Sequence, residues 1–526
     1  MKTINKKKNS NTLIHHFLEN SAERFPDKVA FIHEETREPY HNINSAADSL
    51  ANCLRDNGVK KGSRVVMLFE NCLEYVISYY GILKSGAIAV PLSSDLKPEG
   101  LRPILIELEP DVIIASGRFE RMLKATGLEP YNLKFLIVSK PKLKWPETSF
   151  LRVDFEEVTS ENMSDAPDVR ITPDDIATII YTSGSTGTPK GAMLSHKNVI
   201  ANTNSICEYL KLTDNDIQMV VLPFFYVMGK SLLNTHFAVG GTIVVNNKFA
   251  YPATVIQQMI DEKVTGFSGV PSTFAYLLHR SPLKSKKDEL VTLRYCSQAG
   301  GHMASHIKTE LLKVIPNKTR LFIMYGATEA SARLAYLPPE FLEEKIDSIG
   351  KAIPGVQLKV IDSSGDEKPA GETGELVGSG DNIMQGYWED ETLTSKVLDA
   401  NGYHTGDLCF KDEDGFFFLV GRKDDLLKVG GHRINPQEIE DVLMASDLAV
   451  ELTVFGIPDE LLGNKLIVIA VKKEELCSEN IILNYCNGVL PKYKHPSRII
   501  FTKTLPKKVN GKIDRVKCVE LLKDKR

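Results

Sequence analysis

The sequence predicts an α/β protein whose large N-terminal domain consists of packed, mainly parallel αβ sheets plus a small antiparallel β module. A small C-terminal α+β domain is expected to follow. Over roughly the first 420 residues, β-branched runs alternate with segments of helical spacing, which is typical of parallel sheets covered by helices. After Gly355 short strands and Gly- and Asp-rich turns predict the antiparallel module. The 526 residues also exceed the roughly 250–300 that a single core supports.

The elements follow in order along the chain. Runs 64–69 and 87–92 are predicted to be buried strands, with a helix over 72–84 between them. Further strands are predicted at 111–116, 134–139, 176–183, 219–225, 241–246 and 266–271, and the antiparallel strands at 357–362, 374–380 and 415–422. The C-terminal unit is predicted as a helix, two strands and a helix at 435–445, 450–459, 465–473 and 480–490.

Polar and glycine residues over 421–431 favour a linker at this point of the chain. We therefore divide the chain into a large domain over 1–421 and a small domain over 422–526.

Composition excludes several classes of protein. The chain is 42% hydrophobic and 25% charged with a net charge of -4, so no basic field indicates nucleic-acid binding. The N-terminus lacks the apolar segment of a signal peptide. The longest apolar stretch, 74–92, is broken by Lys84, Ser85 and Gly86, so no membrane span is expected. Eight scattered cysteines without CxxC pairs favour reduced thiols and a cytoplasmic protein.

One loop indicates phosphate binding. A strand over 176–181 and a helix with Ser195 as its N-cap flank a run rich in Ser, Thr and Gly at 182–188. Its hydroxyls, its free backbone N–H groups and Lys190 suit a polyphosphate. The spacing differs from that of phosphate-loop NTPases and kinases, because Gly191, and not Ser or Thr, follows the lysine.

Four further motifs accompany "YTSGSTGTPKG" at 181–191: "YGATEAS" at 325–331, "GYHTGD" at 402–407, "GRKDDLLKVGGHRINPQEIE" at 421–440 and "LPKKVNGKIDR" at 505–515. In this order they resemble the adenylate-forming superfamily, which includes acyl- and aryl-CoA synthetases, peptide-synthetase adenylation domains and beetle luciferases. The resemblance spans nearly the whole chain.

The resemblance implies an ATP site with Mg²⁺. Its phosphate contacts would come from Thr182, Ser183, Gly184, Ser185, Thr186, Gly187 and Lys190. Tyr325 would offer its flat ring to the adenine, Gly326 in the same ATP-binding motif lets the chain turn sharply, and Thr328 would bind a phosphate oxygen. The hard carboxylate of Glu329 suits Mg²⁺, and Asp407 would accept from the ribose hydroxyls with help from Arg422.

The resemblance also implies a rotating C-terminal domain. Lys512, which follows an Asn-Gly turn, would be the catalytic lysine between the substrate carboxylate and a phosphate oxygen. The hinge would be Asp424. After rotation, the thiol would pass along a tunnel formed by Lys428, Gly430 and Gly431.

The acid pocket is predicted from segments 223–233, 269–274 and 297–303. Its candidate residues are Tyr226, Met228, Gly229, Ala299, Gly300 and Gly301. Amino-acid-activating relatives often carry an Asp early in the first segment, and residues 224–228 contain no acid, which disfavours an α-amino acid. Tyr226 stands where many acyl and aryl ligases have His.

The expected reaction joins a carboxylic acid to AMP, releases pyrophosphate and then transfers the acyl group to a thiol. The thiol belongs to CoA or to a separate phosphopantetheinyl carrier protein, since no carrier domain follows Lys512 in this sequence. An amine acceptor, an amino-acid substrate and luciferase-type oxygenation stay open as alternatives. A non-catalytic nucleotide-binding module is disfavoured because Glu329 and Lys512 are both present.

Overall fold

The structure is a computed structural model that describes residues 11–145, 147–160, 165–183, 189–423, 426–459, 462–507, 513–515, 517–518 and 520. The strands, in chain order, are β1 (Val29–His33), β2 (Thr36–Pro39), β3 (Arg64–Leu68), β4 (Ile88–Pro91), β5 (Val112–Ser116), β6 (Phe135–Ser139), β7 (Leu151–Asp154), β8 (Ile176–Ser183), β9 (Pro189–Ser195), β10 (Ile217–Val220), β11 (Thr242–Val245), β12 (Gly266–Gly269), β13 (Tyr295–Gln298), β14 (Arg320–Tyr325), β15 (Ala335–Leu337), β16 (Lys351–Ala352), β17 (Val356–Ile361), β18 (Gly374–Gly380), β19 (Gly386–Tyr387), β20 (Leu398–Asp399), β21 (Gly402–Lys411), β22 (Phe417–Arg422), β23 (Leu427–Val429), β24 (His432–Ile434), β25 (Ala449–Asp459), β26 (Gly463–Lys472) and β27 (Arg498–Phe501).

The helices, in chain order, are α1 (His16–Arg24), α2 (Tyr40–Asp56), α3 (Leu73–Lys84), α4 (Pro98–Leu108), α5 (Glu120–Thr126), α6 (Phe155–Ser160), α7 (His196–Leu210), α8 (Val227–Val239), α9 (Pro252–Asp261), α10 (Pro271–Arg280), α11 (Leu283–Lys286), α12 (Ser305–Val314), α13 (Glu391–Val397), α14 (Pro436–Ala445) and α15 (Glu479–Val489). None of those in the described part of the chain has the length and apolar character that crossing a membrane requires.

The large domain contains three sheets among the described residues. A nine-stranded sheet has the order β16-β15-β14-β13-β12-β10-β11-β1-β2, and an eight-stranded sheet has the order β19-β9-β8-β4-β3-β5-β6-β7. Their central strands are parallel, with antiparallel pairs at β1–β2, β14–β15, β15–β16, β8–β9 and β9–β19. Strands β17, β18, β20, β21 and β22 form the antiparallel module. The predicted fold class is confirmed.

The two large sheets enclose a shared core. Along β3, Val65 and Met67 join the cluster between the sheets, while Val66 and Leu68 join a second cluster with α4 and α5. Successive strand residues point to opposite faces, so a strand buried on both faces is apolar throughout. This arrangement accounts for the continuous apolar runs in the sequence.

Two predicted strands extend too far. The strand predicted at 219–225 ends at Val220, because the chain turns away and the Phe224 N–H donates to Asn71 Oδ1 at 2.7 Å. The strand predicted at 266–271 ends at Gly269, since Pro271 is the first residue of α10. Proline is favoured at that helical position, where its missing N–H costs no hydrogen bond.

The C-terminal unit has its own core. Helices α14 and α15 pack on the sheet β25-β26-β27 through residues that include Ile439, Val468 and Ile482. The linker predicted over 421–431 is shorter than expected, because β22 continues to Arg422 and the hairpin β23–β24 begins at Leu427. His302 Nε2 lies 3.0 Å from Asp441 Oδ1 and so connects the large domain to this unit.

Candidate active site

One cavity of about 540 Å³ gathers most of the predicted site residues. It lies beyond the carboxyl ends of β10, β12, β13 and β14, the edge at which open α/β sheets bind ligands. The predicted residues that line it are Thr182, Lys190, Tyr226, Met228, Gly229, Ala299, Gly300, Tyr325, Gly326, Thr328, Glu329, Asp407 and Arg422. Residues from both large sheets and from the antiparallel module therefore converge on one site.

The candidate phosphate loop connects two strands and not a strand and a helix, as the sequence had suggested. Strands β8 and β9 pair antiparallel, with Thr182 opposite Lys190 and Ser183 opposite Pro189. Gly184, Ser185, Thr186 and Gly187 lie outside the described residues. The helix follows β9, and its predicted N-cap is confirmed, since the Ser195 side chain accepts from the Asn198 N–H at 3.2 Å.

Tyr325, Asp407 and Arg422 form one polar group at the cavity wall. The Tyr325 hydroxyl donates to the Asp407 carboxylate, and Arg422 Nε lies 3.3 Å from Asp407 Oδ1. Asp407 and Arg422 are direct partners across β21 and β22. Burial and the Asp407 carboxylate raise the pKa of Tyr325, which keeps its hydroxyl protonated as a donor.

The turn after β14 requires glycine at its first position. A Cβ on Gly326 would lie 2.0 Å from the Ala332 carbonyl oxygen. The sequence had suggested that this glycine permits a sharp turn, whereas the structure shows close backbone approach as the reason. This approach folds residues 328–330 into a short 3₁₀ turn, and both Thr328 and Glu329 line the cavity.

Tyr387 is a site residue that the sequence did not indicate. Its hydroxyl donates to Glu329 Oε1 at 2.7 Å, and Lys190 Nζ lies 5.8 Å from the centroid of its ring. Burial, followed by the nearby Glu329 carboxylate, raises the pKa of Tyr387. Strand β19 holds the residue against β9, where Tyr387 faces Ala192. No local pattern could have revealed this pairing, because almost 200 residues separate the two strands.

The candidate acid end of the cavity is mainly apolar. Met228, Val270 and Ala299 belong to one buried cluster, and Tyr226 closes the wall at the start of α8. Burial raises the pKa of Tyr226 to about 12, so this side chain stays a neutral hydroxyl near neutral pH. Residues 224–228 contain no acid, so this segment contributes no carboxylate to the cavity lining.

Glycines shape this end through their backbone. A Cβ on Gly229 would lie 2.1 Å from the Pro223 carbonyl oxygen, so this glycine lets α8 pack against the preceding turn. Gly300 has a φ of +83°, a backbone conformation that residues with a side chain rarely adopt. Gly301 is not among the residues that line the cavity, and its predicted role in the acid pocket stays a prediction. A Cβ there would meet Pro271 Cγ at 3.3 Å.

The predicted C-terminal residues lie elsewhere. Lys428 lies on the short hairpin strand β23, and Gly430 and Gly431 follow this strand. Gly430 lines a separate cavity of about 440 Å³. Asp424 and Lys512 lie outside the described residues. The chain on either side of Lys512 pairs through Lys507 and Ile513, and Lys507 Nζ lies 4.3 Å from the Tyr276 ring centroid. Tyr276 belongs to α10, which begins directly after the cavity residue Val270.

Two family models match the chain. The model of the AMP-binding enzyme family covers residues 18–388, and that of the AMP-binding enzyme C-terminal domain covers residues 438–512. A long-chain-fatty-acid–CoA ligase of Bacillus subtilis (strain 168) is 30% identical over 97% of this chain and 94% of its own length. A 2-succinylbenzoate–CoA ligase of Bacillus cereus (strain Q1) is also 30% identical, over 95% of this chain and 97% of its own.

A solved structure agrees in fold over nearly the full chain. The crystal structure of an anthranilate CoA ligase in complex with anthranoyl-AMP superposes with a TM-score of 0.86 at 26% identity, covering 97% of each chain. The protein described here belongs to the AMP-binding enzyme family. Within that family it is an ATP-dependent, AMP-forming acid–thiol ligase, a class whose reaction passes through an acyl-adenylate.

Proposed function

We propose that this cavity carries out both half-reactions of an acyl- or aryl-CoA ligase. In the first, a carboxylate oxygen attacks the α-phosphorus of ATP, the bond from that phosphorus to the bridging oxygen breaks, and pyrophosphate leaves. In the second, the thiol of CoA loses its proton, its sulfur attacks the acyl carbon, and AMP leaves. The observation that carries the proposal is the convergence of the β8–β9 hairpin, the Thr328–Glu329 turn and Asp407 on one cavity.

The polar group of Tyr325, Asp407 and Arg422 is assigned to the nucleoside. Asp407 contacts the Tyr325 hydroxyl and Arg422, and it is assigned to the ribose hydroxyls because a carboxylate accepts several hydrogen bonds. Tyr325 then offers its ring to the adenine. Ordering these three residues in advance reduces the entropy lost when the nucleotide binds.

The phosphates and Mg²⁺ are assigned to a second group of residues at the nucleotide end of the cavity. Glu329 supplies a carboxylate, Thr328 a hydroxyl and Lys190 an ammonium, while Thr182 and Ser183 lead into the hairpin tip. Oxygen ligands of this kind suit Mg²⁺, which binds substrate phosphates together with one or two carboxylates. The Tyr387 hydroxyl orients Glu329, and a bound Mg²⁺ would neutralise charge on the phosphates.

Lys512 is assigned to the first half-reaction and Asp424 to the hinge between the two. Lys507 and Ile513, the described residues on either side of Lys512, pair with each other, and Lys507 contacts the helix that starts at the cavity. Rotation about Asp424 would exchange this loop for the Lys428–Gly431 segment at the cavity mouth. The division of the chain into domains between residues 421 and 422 belongs to the same assignment and also stays a prediction.

The proposal extends to the acyl acceptor and to the location of the protein. CoA is favoured over a separate carrier protein because the relatives described above are CoA ligases. All eight cysteines are unpaired thiols, which suits a reducing compartment such as the cytoplasm. No contact with nucleic acid is proposed, since the net charge is -4.

The deciding experiment is product analysis with a panel of aliphatic and aromatic carboxylic acids. ATP, Mg²⁺ and a suitable acid should yield AMP and pyrophosphate, and CoA should then yield a thioester. Carrier protein and amines are offered in parallel as alternative acceptors. Formation of ADP and phosphate would contradict adenylation, and selective turnover of a free α-amino acid would contradict the proposed acid class.

A further inference from the structure

A buried arginine lines the cavity, and the proposed ATP and thiol chemistry leaves it without a role. Arg333 is 3% exposed and lies just beyond the Thr328–Glu329 turn. Its backbone carbonyl is held by two amides, Asn202 Nδ2 at 2.8 Å and Asn382 Nδ2 at 3.0 Å. The position of its main chain is therefore fixed from both sides.

The guanidinium lies at the acid end of the cavity. Arg333 Nε is 3.1 Å from the sulfur of Met324, and Met324 packs in the same cluster as Met228, Val270 and Ala299. Arg333 therefore belongs to the wall that would face the acyl part of the substrate.

The contacts of this cation within the protein are weak. Besides the thioether, Nη1 donates to the Ala332 carbonyl at 3.0 Å, and Tyr209 contributes a neutral hydroxyl. Among the described residues no carboxylate lies within salt-bridge distance of Arg333. By comparison, the buried Lys84 has Asp48, and Arg294 has Asp216.

An unpaired buried charge is costly, and buried charges in proteins are normally paired. Burial lowers the pKa of Arg333, yet an arginine side chain stays protonated in proteins. A sequence that retains such a cation in an apolar cavity wall therefore indicates an anion that arrives with the ligand. The planar guanidinium is suited to hold a carboxylate through two hydrogen bonds.

We propose that Arg333 is an anion subsite for the acid substrate, which carries a second carboxylate at the end remote from the reacting one. This inference rests on the proposed function, because it assumes that an acyl group occupies this end of the cavity. The substrate class is then a dicarboxylic acid, aliphatic or aromatic, of which one carboxyl group becomes the thioester. Two features favour this anion subsite: Arg333 is buried, and the cavity wall around it is apolar. Both features concern only the part of the cavity that would hold the acyl group.

The test uses acyl-adenylate mimics in which a non-hydrolysable sulfamate replaces the phosphate. Pairs of equal tail length, over a series of aliphatic lengths and one aromatic spacer, end either in a methyl group or in a carboxylate. Binding to the full-length protein is measured by calorimetry. The reacting carboxyl group is already joined to the sulfamate in every mimic, so the comparison isolates the remote end of the tail.

At the best length, the carboxylate mimic should bind on the order of 10- to 100-fold more tightly than its methyl partner, the range expected for a charged hydrogen bond. Arg333→Met should abolish or reverse this ratio, while Arg333→Lys should retain part of it. Arg320→Met is the matched control, since Arg320 lies on β14, the strand that carries Met324, but pairs with Glu340 at the surface. In Arg320→Met the affinity ratio of the carboxylate mimic to the methyl mimic should equal that of the wild type.

The outcomes separate the two proposals. If both mimics bind and the methyl tail is equal or better at every length, the anion subsite is refuted and the adenylating function stands. If Arg333→Met weakens both mimics equally, Arg333 serves the adenylate and not the tail, which also refutes the subsite. If no mimic binds, the proposed function itself fails. The wild-type ratio decides the question even if Arg333→Met does not fold.

Discussion

The nucleotide end and the acid end of this cavity are built in opposite ways. At the nucleotide end, polar side chains hold one another in place, as in the contact of Tyr325 with Asp407 and that of Tyr387 with Glu329. At the acid end, Met228 and Ala299 form an apolar wall that contains one buried cation, Arg333. The first end suits a ligand shared by all reactions of the class. The second suits only certain acids.

The difference has a physical basis. Recognition of phosphates, Mg²⁺ and ribose depends on charges and hydrogen bonds in a fixed geometry, which only a few residue types provide. An acyl chain is recognised mainly by shape and burial, which many residue combinations provide. The nucleotide end can therefore be recognised from sequence motifs, whereas the acid end can be described only from the folded structure.

The largest expected effect concerns the lysine that would serve only one half-reaction. Lys512→Ala should slow pyrophosphate release by about 10²–10³-fold, because it removes a charge stabiliser where the carboxylate and the α-phosphate repel each other. Supplied with pre-made acyl-adenylate, the same variant should form thioester at near the wild-type rate. Both half-reactions are assayed separately by quenched-flow product analysis.

Two controls accompany this measurement. Lys503→Ala removes an exposed lysine of the same segment and should leave both half-reactions unchanged. Asp424→Pro should give the complementary defect, impaired thioester formation, since proline fixes φ at the hinge. Equal slowing of both steps in Lys512→Ala, or intact thioester formation in Asp424→Pro, would mean that the C-terminal domain does not alternate.

A pair of glycine substitutions separates the two ends of the cavity. In Gly326→Ala the new Cβ lies 2.0 Å from Ala332 O, and in Gly229→Ala it lies 2.1 Å from Pro223 O. Relief of each overlap costs roughly 1–3 kcal/mol of local distortion. We expect KM to rise about 10- to 100-fold, for ATP in Gly326→Ala and for the acid in Gly229→Ala.

Steady-state kinetics with each substrate varied in turn provides the readout. Gly488→Ala is the control, because a Cβ there meets no atom within 4 Å. If each variant raised both KM values to the same extent, the two ends would not act independently, and the comparison above would fail.

A smaller effect is expected at the tyrosine that contacts Glu329. Tyr387→Phe removes the hydrogen bond of 2.7 Å and leaves the ring over which Lys190 lies. Loss of one hydrogen bond to a charged group should lower kcat by about tenfold. It should also raise the Mg²⁺ concentration needed for half-maximal rate, because Glu329 is less well oriented.

A titration with Mg²⁺ at saturating ATP and acid tests this point. Tyr251→Phe, at a side chain that is 69% exposed, serves as the control and should behave as the wild type. An unchanged Mg²⁺ requirement in Tyr387→Phe would show that this hydroxyl supports the fold alone.

Much of the molecule was predictable because its signals are local. Strand β8 and the Ser195 N-cap were predicted at the positions that the structure gives. The fold class followed from the alternation of strands and helices, and the nucleotide end followed from motifs. The cavity brings Thr182, Tyr325 and Asp407 together as those motifs imply. The catalytic role of each residue stays a prediction.

What the sequence by itself determined is the reaction class and the nucleotide end, since hydroxyls, carboxylates and glycines at fixed spacing reflect the chemistry of ATP. Tertiary structure alone decided which distant residues join them. It paired β9 with β8, so that a strand and not a helix directly follows the candidate phosphate loop, and it brought Tyr387 to Glu329. It also buried Arg333 beside Met324 at the acid end. Contacts between residues far apart in the chain leave no periodic trace in the sequence, because only packing brings those residues together.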